Sequence, residues 1–410
     1  MHTINLTDLP ARQCCCEEFG GACRVLSRSG LHPTERALIA ALPPRFAGHA
    51  LIVGNRTGAL GLLLAAGNPA ATVTQHAVDL HHVKSIQRAL TANRGVRIDV
   101  VCSPFLPDAP AADLAFVQAT SADTPAELLL DQLEDLHARL RAGATCHVAY
   151  DGKPDWLRKQ MRQIFGSVSA IPATEGVTLF RAAKATPPLP EAAASRAGGT
   201  RSRASAVTQE RDPPEKVSRA PREDRRRSFA ATFPASLPGD AALAFTTLPG
   251  VFAHRRADEG GLALAEVAAR GLQPGARVLD MGCGCGLVGI LLARHAAVAE
   301  VLAVDSNARA VHCTAQNAAA NGVANLRTLL TDTGVEEGGF ALFAGNPPYY
   351  SDFRIADLFL RTAHAALVPG GLAFVVAKNH RQLTARMQEV FGNAEVIPRR
   401  GYGVVKSVRT

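Results

Sequence analysis

The sequence predicts an α/β protein made of two tandem domains that arose by internal duplication. Short apolar segments, glycine-rich turns and helical stretches follow one another in the second half, which is typical of a mostly parallel sheet flanked by helices. The same pattern occurs 228 residues earlier without a gap. A stretch rich in Pro, Ala, Ser and Arg separates the copies. We expect two Rossmann-like domains, residues 1–183 and 229–410, each with a late antiparallel hairpin, and a flexible linker over 184–228.

The strongest local signal is the run from Asp280 to Gly286, which lies between two apolar segments. It predicts a strand, a tight loop and a helix. Gly282, Gly284 and Gly286 suit such a loop because a Cβ would hinder both positive φ angles and the close approach of backbone N–H groups to a ligand. We therefore expect Asp280 and the three glycines to line the binding site of a nucleotide-like cofactor.

Two further strand ends carry acids. Asp305 follows an apolar segment about twenty residues after the loop, where a carboxylate can accept hydrogen bonds from ribose hydroxyls. Asp332 ends the next predicted strand and is a candidate for the adenine amino group. The alternative for both is a solvated acid at a strand end.

The tetrapeptide Asn346-Pro347-Pro348-Tyr349 indicates the chemistry. The Asn346 side-chain oxygen and the Pro347 carbonyl can accept both hydrogens of an exocyclic amine and align its lone pair with an electrophilic methyl group. Pro348 has no N–H and keeps the turn rigid, and Tyr349 would lie over a flat substrate. These residues predict methyl transfer to a planar amine, with an ordinary proline turn as the alternative.

Together these motifs resemble the class I S-adenosylmethionine-dependent methyltransferases, and more narrowly the RsmC/RlmG family of ribosomal RNA guanine-N2 methyltransferases. The resemblance extends to Thr247–Phe252, Asp258 and Gly260, which match the segment that leads into the family's catalytic domain. It implies S-adenosylmethionine as the cofactor and ribosomal RNA or a ribosomal subunit as the partner. The chain departs from the family at His254–Ala257 and at Tyr349-Tyr350.

The N-terminal copy lacks the residues that carry this chemistry. Ile52 stands in place of Asp280, Arg56 interrupts the loop, and Ala77 replaces Asp305. We expect this copy not to bind S-adenosylmethionine, although Asp79 lies close enough to the lost acid to compensate. In the family that the chain resembles, a degenerate first domain implies RNA recognition or support of the catalytic domain.

Charge and composition limit the partners. The predicted linker has eleven Lys and Arg against six Asp and Glu, so it carries most of the formal net charge of +8. It can bind RNA phosphates without sequence preference, or it is simply solvated. No apolar run is long enough for a membrane span, and the N-terminus has no secretion signal. We expect a cytoplasmic protein and favour a monomer. We expect no bound metal, because Cys14–Cys16 and Cys23 lack a second pair of ligands.

The predicted function is transfer of a methyl group from S-adenosylmethionine to guanine N2 of ribosomal RNA. Methylation of adenine N6 or of a protein glutamine amide stays open, because both targets present a planar nitrogen to the same tetrapeptide. A non-enzymatic RNA-binding or assembly factor is the alternative from another class, and the intact glycine loop argues against it.

Overall fold

The computed structural model describes most of the chain, and the account below concerns the residues 2–7, 9–19, 21, 23–173, 176–185, 229–348 and 353–410. Nearly all of the predicted linker lies outside them. Lys184 belongs to the N-terminal domain, because its main chain exchanges hydrogen bonds with Gly143 and Ala144. No helix of the described residues has the length and apolar character needed to cross a bilayer.

The N-terminal domain combines a small three-stranded sheet with a seven-stranded one. Its elements are β1 (His2–Asn5), β2 (Cys15–Phe19), β3 (Cys23–Ser27), α1 (Pro33–Ala40), β4 (His49–Val53), α2 (Ala59–Gly67), β5 (Thr72–Ala77), α3 (Leu80–Ala92), β6 (Asp99–Cys102), β7 (Ala112–Ala119), α4 (Ala126–Arg139), β8 (Leu140–Tyr150), α5 (Pro154–Phe165), β9 (Val168–Pro172) and β10 (Thr178–Ala183).

The C-terminal domain repeats this plan after a two-stranded sheet. Its elements are β11 (Ala231–Ala235), β12 (Leu243–Thr247), α6 (Glu259–Ala268), β13 (Ala276–Met281), α7 (Leu287–Ala293), β14 (Val298–Asp305), α8 (Ala308–Ala320), β15 (Leu326–Leu330), β16 (Phe340–Gly345), α9 (Arg354–Ala366), β17 (Leu367–Ala377), α10 (Arg381–Phe391), β18 (Glu395–Arg399) and β19 (Tyr402–Val408).

Both large sheets have the same strand order, β6-β5-β4-β7-β8-β10-β9 in the first domain and β15-β14-β13-β16-β17-β19-β18 in the second. Five strands are parallel and the last two form an antiparallel hairpin. Central strands such as β4 are buried along their whole length, as expected when helices cover both faces of a sheet. The predicted fold class is confirmed.

The register of the strands also repeats at the 228-residue spacing. Val53 lies beside His76 in the first sheet, and Met281 lies beside Val304 in the second. Val53 and Met281 are 228 residues apart, and so are His76 and Val304. This agreement in three dimensions supports internal duplication more strongly than the sequence match alone.

The two copies contact each other through equivalent segments. The Leu80 amide donates to the Ser306 carbonyl over 2.8 Å, and the Ala308 amide donates to the Val78 carbonyl over 2.7 Å. These two hydrogen bonds are related by the same spacing, so the contact has approximate two-fold symmetry. It involves the segment directly after Asp305, and the first domain therefore contacts the edge of the predicted cofactor site.

One element boundary differs from the sequence prediction. The apolar pattern predicts a helix over 358–367, stopped by Gly370-Gly371, and a strand from Leu372. Instead α9 begins at Arg354 and ends at Ala366, and β17 begins at Leu367. The glycines lie within a register irregularity of β17, where Gly370 has a φ of 79°. Glycine marks a bulge as well as a helix end, and the sequence does not distinguish the two.

Candidate active site

The predicted motifs meet at the carboxyl ends of adjacent strands. β13 lies between β14 and β16, with Met281 beside both Val304 and Gly345. The glycine loop follows β13, Asp305 ends β14, and Asn346 follows β16. Because parallel strands end at the same edge of a sheet, these residues border one crevice.

The three glycines of the loop have different physical roles. All have positive φ angles, which are costly for residues with a Cβ. A Cβ on Gly282 would lie 2.9 Å from the Phe359 ring, and one on Gly286 would lie 2.9 Å from Thr314 Cγ2. A Cβ on Gly284 would project into open space. Packing therefore requires the outer two, whereas the middle one leaves room for a ligand.

The carboxylate of Asp305 links the loop to the end of β14. Its Oδ2 accepts a hydrogen bond from the Gly284 amide over 3.0 Å, and its Oδ1 accepts one from the Asn307 amide over 2.9 Å. A carboxylate has about four acceptor positions, and the Ser306 amide also bonds to this one, so acceptor capacity for a ligand hydroxyl remains but is small. Burial raises the pKa of Asp305, and the backbone amides oppose that rise.

Asp280 is buried under the loop rather than open to solvent. Its Oδ2 accepts a hydrogen bond from the Gly289 amide over 2.8 Å, which connects β13 to α7. Burial raises the pKa of Asp280 to about 7, and the nearby charge of Asp305 adds to the rise. This bond gives Asp280 a structural role, and its contact with the cofactor stays a prediction.

The side chain of Asn346 is held by Asp258, a residue to which the sequence points only through the family resemblance. Its Nδ2 donates to Asp258 Oδ2 over 2.9 Å, and the same oxygen accepts from the Gly261 amide at the start of α6. Pro347 is buried, and Tyr349 lies outside the described residues. The position of Asp258 before an apolar helical stretch predicts an N-cap, but nothing in the sequence connects it to Asn346.

Asp332 contacts the N-terminal domain. Its carboxylate forms an ion pair with Lys84 and lies 3.6 Å from His81 Nδ1, both on α3. The side chain is 9% exposed. No pattern in the sequence predicts this contact, which joins residues 248 positions apart. Its proposed contact with adenine stays a prediction, and any ligand there would share Asp332 with Lys84.

In the N-terminal copy, side chains occupy the corresponding positions and bond to one another. Gln118 lies where the second copy has Asn346, and it accepts from Asn55 Nδ2 over 2.8 Å and donates to Thr34 Oγ1 over 3.0 Å. Asn55 Nδ2 also donates to the buried Glu35 over 2.6 Å. Burial raises the pKa of Glu35. The Gln118 carboxamide is thus bonded on both sides within this network, although Glu35 Oε2 has no hydrogen-bond partner.

Asp79, the candidate replacement for the lost acid, forms structural hydrogen bonds in this copy. Its Oδ1 accepts from the His81 amide over 2.8 Å and so caps α3. Its Oδ2 accepts from Ser306 Oγ over 3.1 Å, across the domain contact. Each carboxylate oxygen thus takes part in one structural hydrogen bond, and replacement of the lost acid by Asp79 stays a prediction.

The C-terminal half of the chain is similar in sequence to known methyltransferases. Residues 242–406 match the sequence model of a family described as "Methyltransferase small domain". "Ribosomal RNA small subunit methyltransferase C" of Chromohalobacter salexigens is 36% identical over 177 residues, which are 42% of this chain and 53% of the relative. The protein of the same name from Pseudomonas syringae pv. syringae is 31% identical over 186 residues, 44% of this chain and 54% of the relative. The chain thus spans about half the length of these relatives.

A solved structure matches almost the whole chain. The T. thermophilus 16S rRNA N2 methyltransferase RsmC, in complex with AdoMet and guanosine, aligns with a TM-score of 0.71 and 23% identity. The alignment covers 98% of this chain and 99% of the other. The chain therefore has the two-domain fold of this structure.

Proposed function

We propose that this chain transfers the methyl group of S-adenosylmethionine to the N2 amine of guanine in ribosomal RNA. The single observation that carries the proposal is the position of Asn346, whose carboxamide is fixed at the end of β16 beside the glycine loop and Asp305. The two relatives named above are ribosomal RNA methyltransferases by name, and the RsmC structure contains AdoMet and guanosine.

The residues at the crevice fit this cofactor. Asp305 retains acceptor capacity for a ribose hydroxyl, and Gly284 leaves open space where a side chain would otherwise project. When bound, the cofactor supplies an electrophilic methyl group whose bond to sulfur breaks as the amine nitrogen forms its bond to carbon. The nitrogen then releases one proton to water.

Asn346 and Pro347 act on the other reactant. The Asn346 Oδ1 and the Pro347 carbonyl accept the two hydrogens of the guanine amine, which orients the nitrogen lone pair toward the methyl group. Their contribution is positioning and electrostatic stabilisation, since both acceptors are in place before the reaction. Tyr349 would hold the base by stacking on its face.

The N-terminal domain serves as a support and RNA-contacting domain in this proposal. Ala77 replaces the acid that would hold a ribose, and the network around Gln118 uses the polar groups that a cofactor would need. Its contacts at Ser306 and Asp332 support the edge of the catalytic crevice. The basic linker adds a salt-sensitive attraction for RNA phosphates.

Two measurements test the proposal. Mass spectrometry of ribosomal RNA nucleosides from a deletion strain should show loss of N2-methylguanosine, restored by the wild-type chain. Loss of a methylated adenine instead would redirect the target, and an unchanged nucleoside profile would refute RNA methylation. Calorimetry should show S-adenosylmethionine binding that Asp305→Ala weakens at least tenfold, whereas binding by neither protein would favour a non-enzymatic factor.

A further inference from the structure

The carboxylate of Asp258 connects the start of α6 to the proposed catalytic asparagine. One oxygen, Oδ2, accepts from both the Gly261 amide over 2.6 Å and Asn346 Nδ2 over 2.9 Å. Gly260 lies close, since a Cβ there would be 3.1 Å from Oδ2. The helix start thus fixes the carboxylate, and the carboxylate fixes a side chain 88 residues away in the sequence.

The chemistry of the two groups determines how the carboxamide is oriented. An ionised carboxylate accepts hydrogen bonds and donates none, whereas a carboxamide has a donor NH2 and an acceptor oxygen. Asn346 must therefore turn its NH2 toward Asp258, which leaves Oδ1 available on the other side of the planar amide. A reversed amide would place two acceptor oxygens against each other and would present a donor to the substrate amine.

We propose that Asp258 is a positioning residue that holds Asn346 with its acceptor oxygen toward the target amine. This inference rests on the proposed function and adds a residue to it. Asp258 acts through Asn346 and does not touch the reacting atoms. Its loss should therefore lower kcat and leave the cofactor affinity unchanged, since the glycine loop and Asp305 do not depend on it.

Two substitutions separate positioning from helix capping. Asp258→Ser retains a good N-cap hydroxyl, but the shorter side chain does not reach Asn346. Asp258→Asn retains an acceptor oxygen at the original distance and is the matched control. We expect the Ser variant to lose about 10- to 100-fold in kcat, because small displacements of a positioning group cost this much. The kcat of the Asn variant should remain within about fivefold of the wild-type value. The hydrogen bond to Asn346 is kept, and only the charge of its acceptor is lost.

The measurements are kcat and KM with ribosomal RNA from a deletion strain, cofactor Kd by calorimetry, and the thermal midpoint. A Ser variant within threefold of the wild-type kcat would overturn the inference. So would an Asn variant as slow as the Ser variant. A double variant gives a second test: Asp258→Ser should not slow an Asn346→Ala enzyme further, and an additional tenfold loss would show that Asp258 acts by another route.

A measurement on the wild-type protein covers the case in which the Ser variant does not fold. With ¹⁵N-labelled asparagine, and Asn346→Ala to assign the signal, the Asn346 NH2 protons should exchange more slowly than those of a free side chain. Exchange at the free rate would overturn the inference. Failure of the proposed function looks different, because the wild-type enzyme would then leave guanine N2 unmethylated whatever residue 258 is.

Discussion

One buried arginine bonds to both domains where they meet. Arg309, at the start of α8, is 1% exposed. Its guanidinium donates to Asp131 Oδ2 over 2.7 Å and to the Pro104 carbonyl over 2.8 Å, both in the N-terminal domain. It also donates to the Pro249 carbonyl over 3.0 Å in the segment that leads to Asp258. One side chain therefore joins both domains and that segment.

The expected cost of Arg309→Met follows from what the substitution leaves behind. Asp131 is 8% exposed and would lose its ion pair with Arg309. Removal of one partner from a buried ion pair costs about 3–5 kcal/mol, and methionine retains the apolar part of the side chain. We expect the free energy of unfolding to fall by about 4 kcal/mol. With a urea dependence of about 3 kcal/mol per molar, the midpoint would move by roughly 1 M.

Urea unfolding followed by circular dichroism and by Trp156 fluorescence measures this change. Trp156 is the only tryptophan and lies in α5, so its signal reports on the N-terminal domain. Arg277→Met is the control, because Arg277 pairs with Glu300 and Glu337 at the surface and exposed pairs contribute about 0–1 kcal/mol. If Arg309→Met costs no more than this control, the buried contact does not couple the domains.

Three further predictions concern the crevice. Lys84→Met should raise the cofactor Kd about three- to tenfold in calorimetry if Asp332 binds the adenine, since the carboxylate loses its fixed position, and an unchanged Kd would contradict that role. The pKa of Asp280 rises from 3.8 to about 7 on folding, so its stabilising effect is complete below pH 3.8 and is lost as the pH rises through 7. Asp280→Asn should therefore gain stability relative to wild type between pH 5 and 8, by up to on the order of 4 kcal/mol, and an equal pH dependence of urea unfolding in both proteins would contradict this. Gly284→Ala should lower the free energy of unfolding by about 1–2 kcal/mol, because residue 284 has a positive φ. It should also weaken cofactor binding more than tenfold. A wild-type Kd would show that the cofactor does not occupy the open space beside Gly284.

The sequence was sufficient to predict the parts of the structure that depend on local pattern. The glycine loop, Asp305 and Asn346 each follow an apolar strand, and parallel strands necessarily bring their ends together. The duplication was visible because both copies keep the same spacing of apolar residues.

Contacts between distant segments could not be predicted in this way. The bonds from Asp258 to Asn346 and from Lys84 to Asp332 depend on how the segments pack, and neither pair shares a periodic pattern in the sequence. The boundary between α9 and β17 was wrong because Gly370 was interpreted as a helix stop. Its positive φ belongs instead to an irregular strand.

The most direct test of the central claim is a single-turnover assay with S-adenosylmethionine labelled on the methyl group and ribosomal RNA from a deletion strain. We expect the label to appear in N2-methylguanosine with the wild-type chain. With Asn346→Ala the rate should fall at least about 100-fold, while the cofactor Kd stays within threefold. A variant that transfers methyl groups at the wild-type rate, or a wild-type enzyme that labels a nucleoside other than N2-methylguanosine, would contradict the account.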